Sequence, residues 1–171
     1  MPNTALAMTS SDEDPSVFDL ERFLPHQLSI VTNRVSATLE RMYARRYGIN
    51  VTGWRILAVL GMRAPLSSRA LSDEVAMDAV AISRAIEQLV RLGLVSRRSD
   101  PKDRRRHSLR LSAKGQTVYD EIVPVARGIE RAVLDALTPD DREAFLRIMK
   151  TLAEHSTVIL SDERDWREFL D

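Results

Sequence analysis

The sequence predicts a mainly α-helical fold with one small β-hairpin, and three observations predict it. Apolar residues recur at spacings of three and four through long stretches on both sides of the middle of the 171-residue chain, the period of a helix with one buried face. Between residues 69 and 92, two short helical patterns are joined by a tight turn. Residues 94–111 then alternate on either side of a polar, turn-forming run, which is the pattern of a hairpin. Helix, turn, helix and basic hairpin, in that order, make a winged helix-turn-helix core, here flanked by long helices.

Each element has a local reason. Residues 1–17 are polar, with Ser10 to Asp14 clustered, and read as a disordered tail. From Asp19 to Arg46 one stripe carries Leu28, Val31, Val35, Leu39 and Met42; Pro25 either kinks or restarts this helix, and Gly48-Ile49-Asn50 ends it. Thr52 is the expected cap of a second helix over 53–63, apolar on most sides and therefore buried: Trp54, Ile56, Leu57, Val59, Leu60 and Met62. Ala64-Pro65 stops it. Ser67 or Ser68 caps a third helix over 68–76 with Leu71 and Val75 inward, and Met77-Asp78 makes the turn. Asp78 caps a fourth helix over 79–92. Its inner face is Ile82, Ile86, Leu89 and Val90, and its outer face is Ala79, Val80, Ser83, Arg84 and Glu87. Gly93 is the expected stop.

Leu94 to Arg98 reads as a strand, followed by the tip and a return strand through Leu111, with Leu109 and Leu111 on one face and Ser108 and Arg110 on the other. Ser112 caps a fifth helix of about 25 residues, whose stripe is Val118, Ile122, Val125, Ile129, Val133 and Leu137. Pro124 lies inside and either kinks it or leaves one carbonyl without its donor. Thr138-Pro139-Asp140-Asp141 is a helix start, with cap, first-position proline and acids on the positive end. That sixth helix runs to about Leu160, with Phe145, Ile148, Met149, Leu152 and Ile159 inward. Trp166 and Phe169 in the acidic tail are expected to pack back. The first, fifth and sixth helices carry stripes too apolar for water, and a second copy in a symmetric dimer is the simplest cover. The expected organisation is a tail (1–17), a dimerisation helix (18–48), the winged helix-turn-helix (49–112), two dimerisation helices (113–160) and an acidic tail (161–171).

Composition narrows the function. The chain has no cysteine, so thiol redox sensing and thiolate zinc sites are excluded. No run of about 18 apolar residues suggests a membrane span, and residues 1–16 lack the pattern of a signal peptide, so a cytoplasmic location is expected. There is no Ser/His/Asp spacing and no phosphate-cradling glycine loop, which argues against an enzyme. No cofactor is expected. A metal site from His26, His107 and His155 would arise only through folding. The formal charge is zero, yet unevenly spread: residues 1–25 and 154–171 are each net −4, and 26–153 are net +8. Residues 97–110 alone are net +5. Binding responds to this local field, and an arginine-loaded hairpin tip suits phosphates or a narrow minor groove.

Three segments in order resemble the MarR family of bacterial transcription regulators. The first is Asp100-Pro101-Lys102-Asp103-Arg104-Arg105-Arg106 with Leu109-Arg110-Leu111-Ser112-Ala113-Lys114-Gly115, similar to the family's D-P-x-D-R-R and L-T-x-x-G. The others are Ala81-Ile82-Ser83-Arg84 with Leu89 to Val95, and Trp54 to Leu60. The resemblance covers residues 20–160. It implies that the fourth helix enters the major groove with Ala79, Val80, Ser83 and Arg84 at the DNA, and that Arg105 reaches the minor groove. Lys102, Arg104 and Arg106 would meet phosphates, and Asp103 would hold an arginine in place. Ser68 and Arg69, near a helix start, would also contact phosphates. The bland alternatives are a solvated Arg84 and Arg106, and a Ser68 that only caps.

Phe23 to Leu28, Tyr43 to Ile49 and Trp54-Arg55 resemble family members that respond to phenolic or other aromatic acids, although Gly53 stands where many of those carry an acid. The resemblance implies a homodimer on a palindromic operator in double-stranded DNA, acting as a repressor that a small aromatic acid releases. His26, Arg46 and Trp54 are the implied ligand contacts, since a carboxylate suits Arg or His and a ring suits Trp. Alternatively, Arg46 caps the first helix, His26 bonds locally and Trp54 is core. A metal-responsive regulator of the same fold and an interaction module with a non-functional winged helix are the competing functions.

Overall fold

A computed structural model describes residues 18–99, 107–160 and 165–170. The elements, in chain order, are α1 (Leu24–Tyr47), α2 (Val51–Arg63), α3 (Ser68–Val75), α4 (Ala79–Arg91), β1 (Val95–Ser99), β2 (His107–Leu111), α5 (Ala113–Leu134) and α6 (Pro139–Ile159), with a 3-10 turn at Trp166–Phe169. The expected tail over 1–17 and the hairpin tip lie outside the described residues.

Local capping chemistry sets most boundaries. Ser67, Asp78, Ser112 and Thr138 each accept a backbone N–H from the first turn of α3, α4, α5 and α6. Ser67, rather than Ser68, is therefore the cap of α3. Two starts differ from the sequence reading. Asn50 caps α2, its Oδ1 accepting from Gly53 N–H at 2.9 Å, so the helix begins before Thr52. The cause is upstream: Gly48 ends α1 in the left-handed region at φ 68°, and Ile49 turns into the core, which leaves Asn50 as the first extended residue with a capping oxygen. Pro25 occupies the first turn of α1 and initiates the helix, while Asp19 Oδ1 accepts from Glu21 and Arg22 in a separate turn. Helix α5 runs through Pro124. The proline supplies no N–H to the carbonyl four residues back, on the exposed Asp120.

The core sits where α2, α3, α4 and the hairpin meet. Ile56, Leu57, Leu60, Leu71, Ile82, Ile86, Leu89 and Leu109 are almost fully buried, each contributing about 1.5–3 kcal/mol of transfer free energy. Ala85 completes the inner face of α4. Strands β1 and β2 are antiparallel, with Val95 opposite Leu111 and Arg97 opposite Leu109. Leu66 adds an isolated rung on the other side of β2: it exchanges two backbone hydrogen bonds with Leu109, at 2.8 and 3.2 Å.

Several residues read as inward are not buried within one chain. Met62 is 73% exposed, and Val90 at the end of α4 is also exposed. Along α5, Val118 and Ile122 are buried, but Val125 and Val133 are exposed, and so is Leu137, which lies beyond the end of the helix. No residue of α6 is buried, and Phe145, Ile148 and Leu152 all face outward. Periodicity shows that a helix has an apolar face; it does not show that the same chain covers it. Phe169 does not pack back, being 50% exposed, and the side chain of Trp166 lies outside the described residues.

Candidate nucleic-acid interface

The α3–α4 corner is held by short-range bonds. Ala76 ends α3 with φ 51°, and its N–H reaches Asp73 O. The Ser72 hydroxyl donates to Met77 O at 2.8 Å, bracing the turn. Asp78 then accepts from Val80 and Ala81 N–H at 2.9 and 3.0 Å. These bonds leave α4 projecting one side outward: Ala79, Val80, Ser83, Arg84 and Glu87 are all exposed, opposite the buried Ile82, Ile86 and Leu89. Small residues at the start of a helix permit close approach to base edges, and methyl groups match the thymine methyl.

Arg84 lines a groove of about 460 Å³ with Asn50, Thr52, Gln88 and Arg91, so it leans toward the start of α2. Ser68 and Arg69 are exposed at the start of α3, on the same helix-turn-helix unit. Glu74 of α3 pairs with Arg63 at the end of α2, which fixes α3 against α2. The strands present Arg97, Arg98 and Arg110 as exposed cations. Sequence reasoning counted these in the charged segment but did not place them in the interface; their alternation with Val95, Leu109 and Leu111 was the available signal. Lys102, Asp103, Arg104, Arg105 and Arg106 lie outside the described residues, so of this group the structure fixes only the strands that carry them.

The proposed ligand residues are dispersed. Trp54 is half-buried in the first turn of α2, between Tyr119 of α5, on which it stacks, and Tyr43 of α1, whose ring is tilted to it, with centroids 6.2 Å from each. Gly61 lets Tyr119 lie flat on α2, since a Cβ there would meet its ring at 2.5 Å. Arg46 is engaged: it pairs with Glu121 of α5 at 2.8 Å and lies over the ring of Tyr47, whose hydroxyl donates to the same carboxylate. His26 is twenty residues away from Arg46 on α1, about 30 Å at 1.5 Å per residue. Within one chain the three do not form one pocket. Among the described residues no group of three His, Asp or Glu is placed to hold a metal ion, and no helix is long and apolar enough to cross a membrane.

The Tyr43 hydroxyl is fully buried and has no hydrogen-bond partner among the described residues. Burial, then the nearby Glu40 carboxylate, pushes its pKa up to about 12, against a smaller lowering by Arg55. A tyrosine raised from its unfolded value of about 10 stabilises the fold below that pH, and the contribution is lost as pH rises through 12. Tyr43→Phe should therefore cost less than about 1 kcal/mol at pH 7, since no hydrogen bond is removed, and should shrink the loss of stability between pH 10 and 12. Urea unfolding at pH 7 and pH 11 checks both; a cost of several kcal/mol at pH 7 would show that the hydroxyl is bonded.

A family model for the MarR family matches residues 47–106, from the end of α1 to the hairpin tip. Among curated proteins, the chain is 29% identical over 118 residues to the HTH-type transcriptional regulator YkoM of Bacillus subtilis, covering 68% of this chain and 76% of that one. It is 26% identical over 134 residues to the HTH-type transcriptional repressor NicR of Pseudomonas putida, covering 72% and 85%. Among solved structures it is similar to a MarR-family transcriptional regulator from Silicibacter pomeroyi, with TM-score 0.70, 27% identity and 85% and 96% of the two chains covered. These relatives are transcription regulators, not enzymes.

Proposed function

We propose, with MarR family membership as the premise that sequence and fold support, that this DNA-binding transcription regulator is a dimeric repressor released by a small aromatic or phenolic acid. The observation that carries the DNA reading is the outward side of α4, capped by Asp78 and set beside an arginine-bearing hairpin. In this reading residues 49–112 form the DNA-binding unit. Helix α4 lies in the major groove with Ala79, Val80, Ser83 and Arg84 at the DNA, and Ser68 and Arg69 meet phosphates. Arg105 enters the minor groove while Lys102, Arg104 and Arg106 hold the backbone and Asp103 orients an arginine. The long helices of residues 18–48 and 113–160 pair two copies, which covers the apolar faces of α5 and α6, and two copies match a palindromic operator.

The effector reading rests on Arg46 and Trp54, a cation and a ring near the joint of α1, α2 and α5. In this reading His26, about 30 Å from Arg46 along its own α1 at 1.5 Å per residue, is supplied to that joint by the second copy. An acid bound there shifts the dimer between two arrangements by its differential affinity, a few kcal/mol. DNA-binding anisotropy on the upstream promoter region at two salt concentrations, with and without a panel of aromatic acids, tests the reading. Salt-sensitive binding relieved by one acid supports it entirely. Binding that no acid relieves removes the effector, and no binding at low salt removes the DNA role. Arg84→Ala should lower operator affinity by about 1–3 kcal/mol; an unchanged isotherm would make Arg84 a solvated helix residue.

A further inference from the structure

Side-chain hydrogen bonds tie α4, the recognition helix of the reading above, to the long helices at two places. At its end, the Ser112 hydroxyl donates to Gly93 O at 2.6 Å and Lys114 Nζ donates to Leu92 O at 3.0 Å, which ties the exit of α4 to the start of α5. One turn earlier, the half-buried Gln88 donates from Nε2 to Gly48 O at 2.8 Å, across forty residues of sequence. Gly48 is the left-handed residue that closes α1, and the two residues before it, Arg46 and Tyr47, both bind Glu121 of α5. The acceptor of Gln88 is therefore fixed at the junction of α1 and α5.

We propose that Gln88 is a positioning residue that sets the distance and angle between the two recognition helices of the dimer, and hence the half-site spacing the protein accepts. The inference rests on the dimeric DNA-binding reading above. Tied at one point only, α4 and the unit packed around it can turn against the long helices; a second tie about 6 Å along the helix axis, at 1.5 Å per residue, fixes the angle. Beside these ties, the unit meets the long helices by apolar packing, Trp54 against Tyr43 and Tyr119 among it, and by the Ser112 N–H donating to Leu94 O at 3.0 Å next to the exit of α4. Such contacts tolerate sliding, whereas a hydrogen bond weakens steeply when misaligned. The outward residues Val80 and Ser83 lie further along the same helix, so a small rotation at Gln88 grows toward them. Half-sites lie about one helical turn apart, and one added base pair rotates them by roughly 35°, which a rigid pair of helices rejects and a loose pair tolerates.

The test uses the full chain and an operator selected by it from random duplex DNA, then rebuilt with one base pair removed from or added to the spacer. Wild type should prefer the selected spacing. Gln88→Met keeps length and helix preference but removes the donor. It should lower that preference by about fivefold or more, the size of one net hydrogen bond, while affinity for a single half-site and the salt slope stay unchanged. Gln88→Ala serves as a second variant should the methionine repack. Full spacing preference in both variants overturns the proposal. So does an equal loss on a single half-site, which would make Gln88 a DNA contact. A wild type indifferent to spacing overturns the dimeric reading itself, and the inference with it.

Discussion

Gly115→Ala is expected to destabilise the fold by about 3 kcal/mol or more, at the upper end for added volume in a packed site. A Cβ on Gly115 would stand 1.9 Å from the carbonyl oxygen of Leu94 and 2.9 Å from its carbon. Both obstacles are backbone, so no side-chain rotation relieves the clash. The backbone itself is pinned: Leu94 O accepts the Ser112 N–H at 3.0 Å, and Leu94 N–H closes α4 on Leu89 O at 2.9 Å. On the other side, Gly115 N–H donates to the Ser112 hydroxyl at 2.9 Å. The start of α5 and the base of the hairpin thus share one tight junction, the physical reason for a glycine three residues after the cap. Ser112→Ala, which removes a cap but adds no atoms, should cost about 1 kcal/mol. Urea unfolding of the two variants checks the order; a Gly115→Ala cost below that of Ser112→Ala would show that the junction opens freely.

Replacing Arg104, Arg105 and Arg106 together by alanine is expected to weaken operator binding by roughly 100-fold or more, since each positioned arginine contributes about 1–3 kcal/mol. The plot of log affinity against log salt should become shallower by up to about 0.9 for every phosphate contact removed. Leu109 anchors the two strands: it is buried, stands opposite Arg97 in the ladder and exchanges both backbone hydrogen bonds with Leu66 on its other side. Arg127 and Arg131 are exposed cations on α5, and their replacement by alanine is the control, with affinity unchanged. Equal losses in both triple variant and control would mean that net charge alone drives binding; no loss in either would take the hairpin out of the interface.

The parts of this chain that could be read without coordinates share one property: their chemistry is local. Asp78, Ser112 and Thr138 cap helices because a side-chain oxygen reaches N–H groups two or three residues on. Gly93, at φ 70°, closes α4 where a left-handed residue is needed, with Leu94 N–H on Leu89 O and Gly93 N–H on Val90 O. Asn50 and Thr52 show where this fails. Both can cap, and the choice fell to the conformation of Gly48 and the burial of Ile49. The Leu66–Leu109 rung had no local signal, because a single paired residue has no period.

The candidate site divides in the same way. The outward side of α4 was legible from its period, since the residues between buried ones must face out. Arg46 was legible as a cation but not as the partner of Glu121, seventy-five residues on. Gln88 could not be found at all, because its acceptor is a main-chain carbonyl that every residue possesses.

Helix period, capping oxygens and the concentration of charge in residues 97–110 are determined by the sequence itself, because each depends on residues within a few positions of one another. Which apolar faces are covered, which arginines are engaged and how the recognition helix is angled against the long helices were decided only by tertiary structure. Those outcomes depend on pairs of groups from separate elements, Ser112 and Gly93 nineteen residues apart, Gln88 and Gly48 forty, Arg46 and Glu121 seventy-five, and nothing in the identity of either member of such a pair names the other.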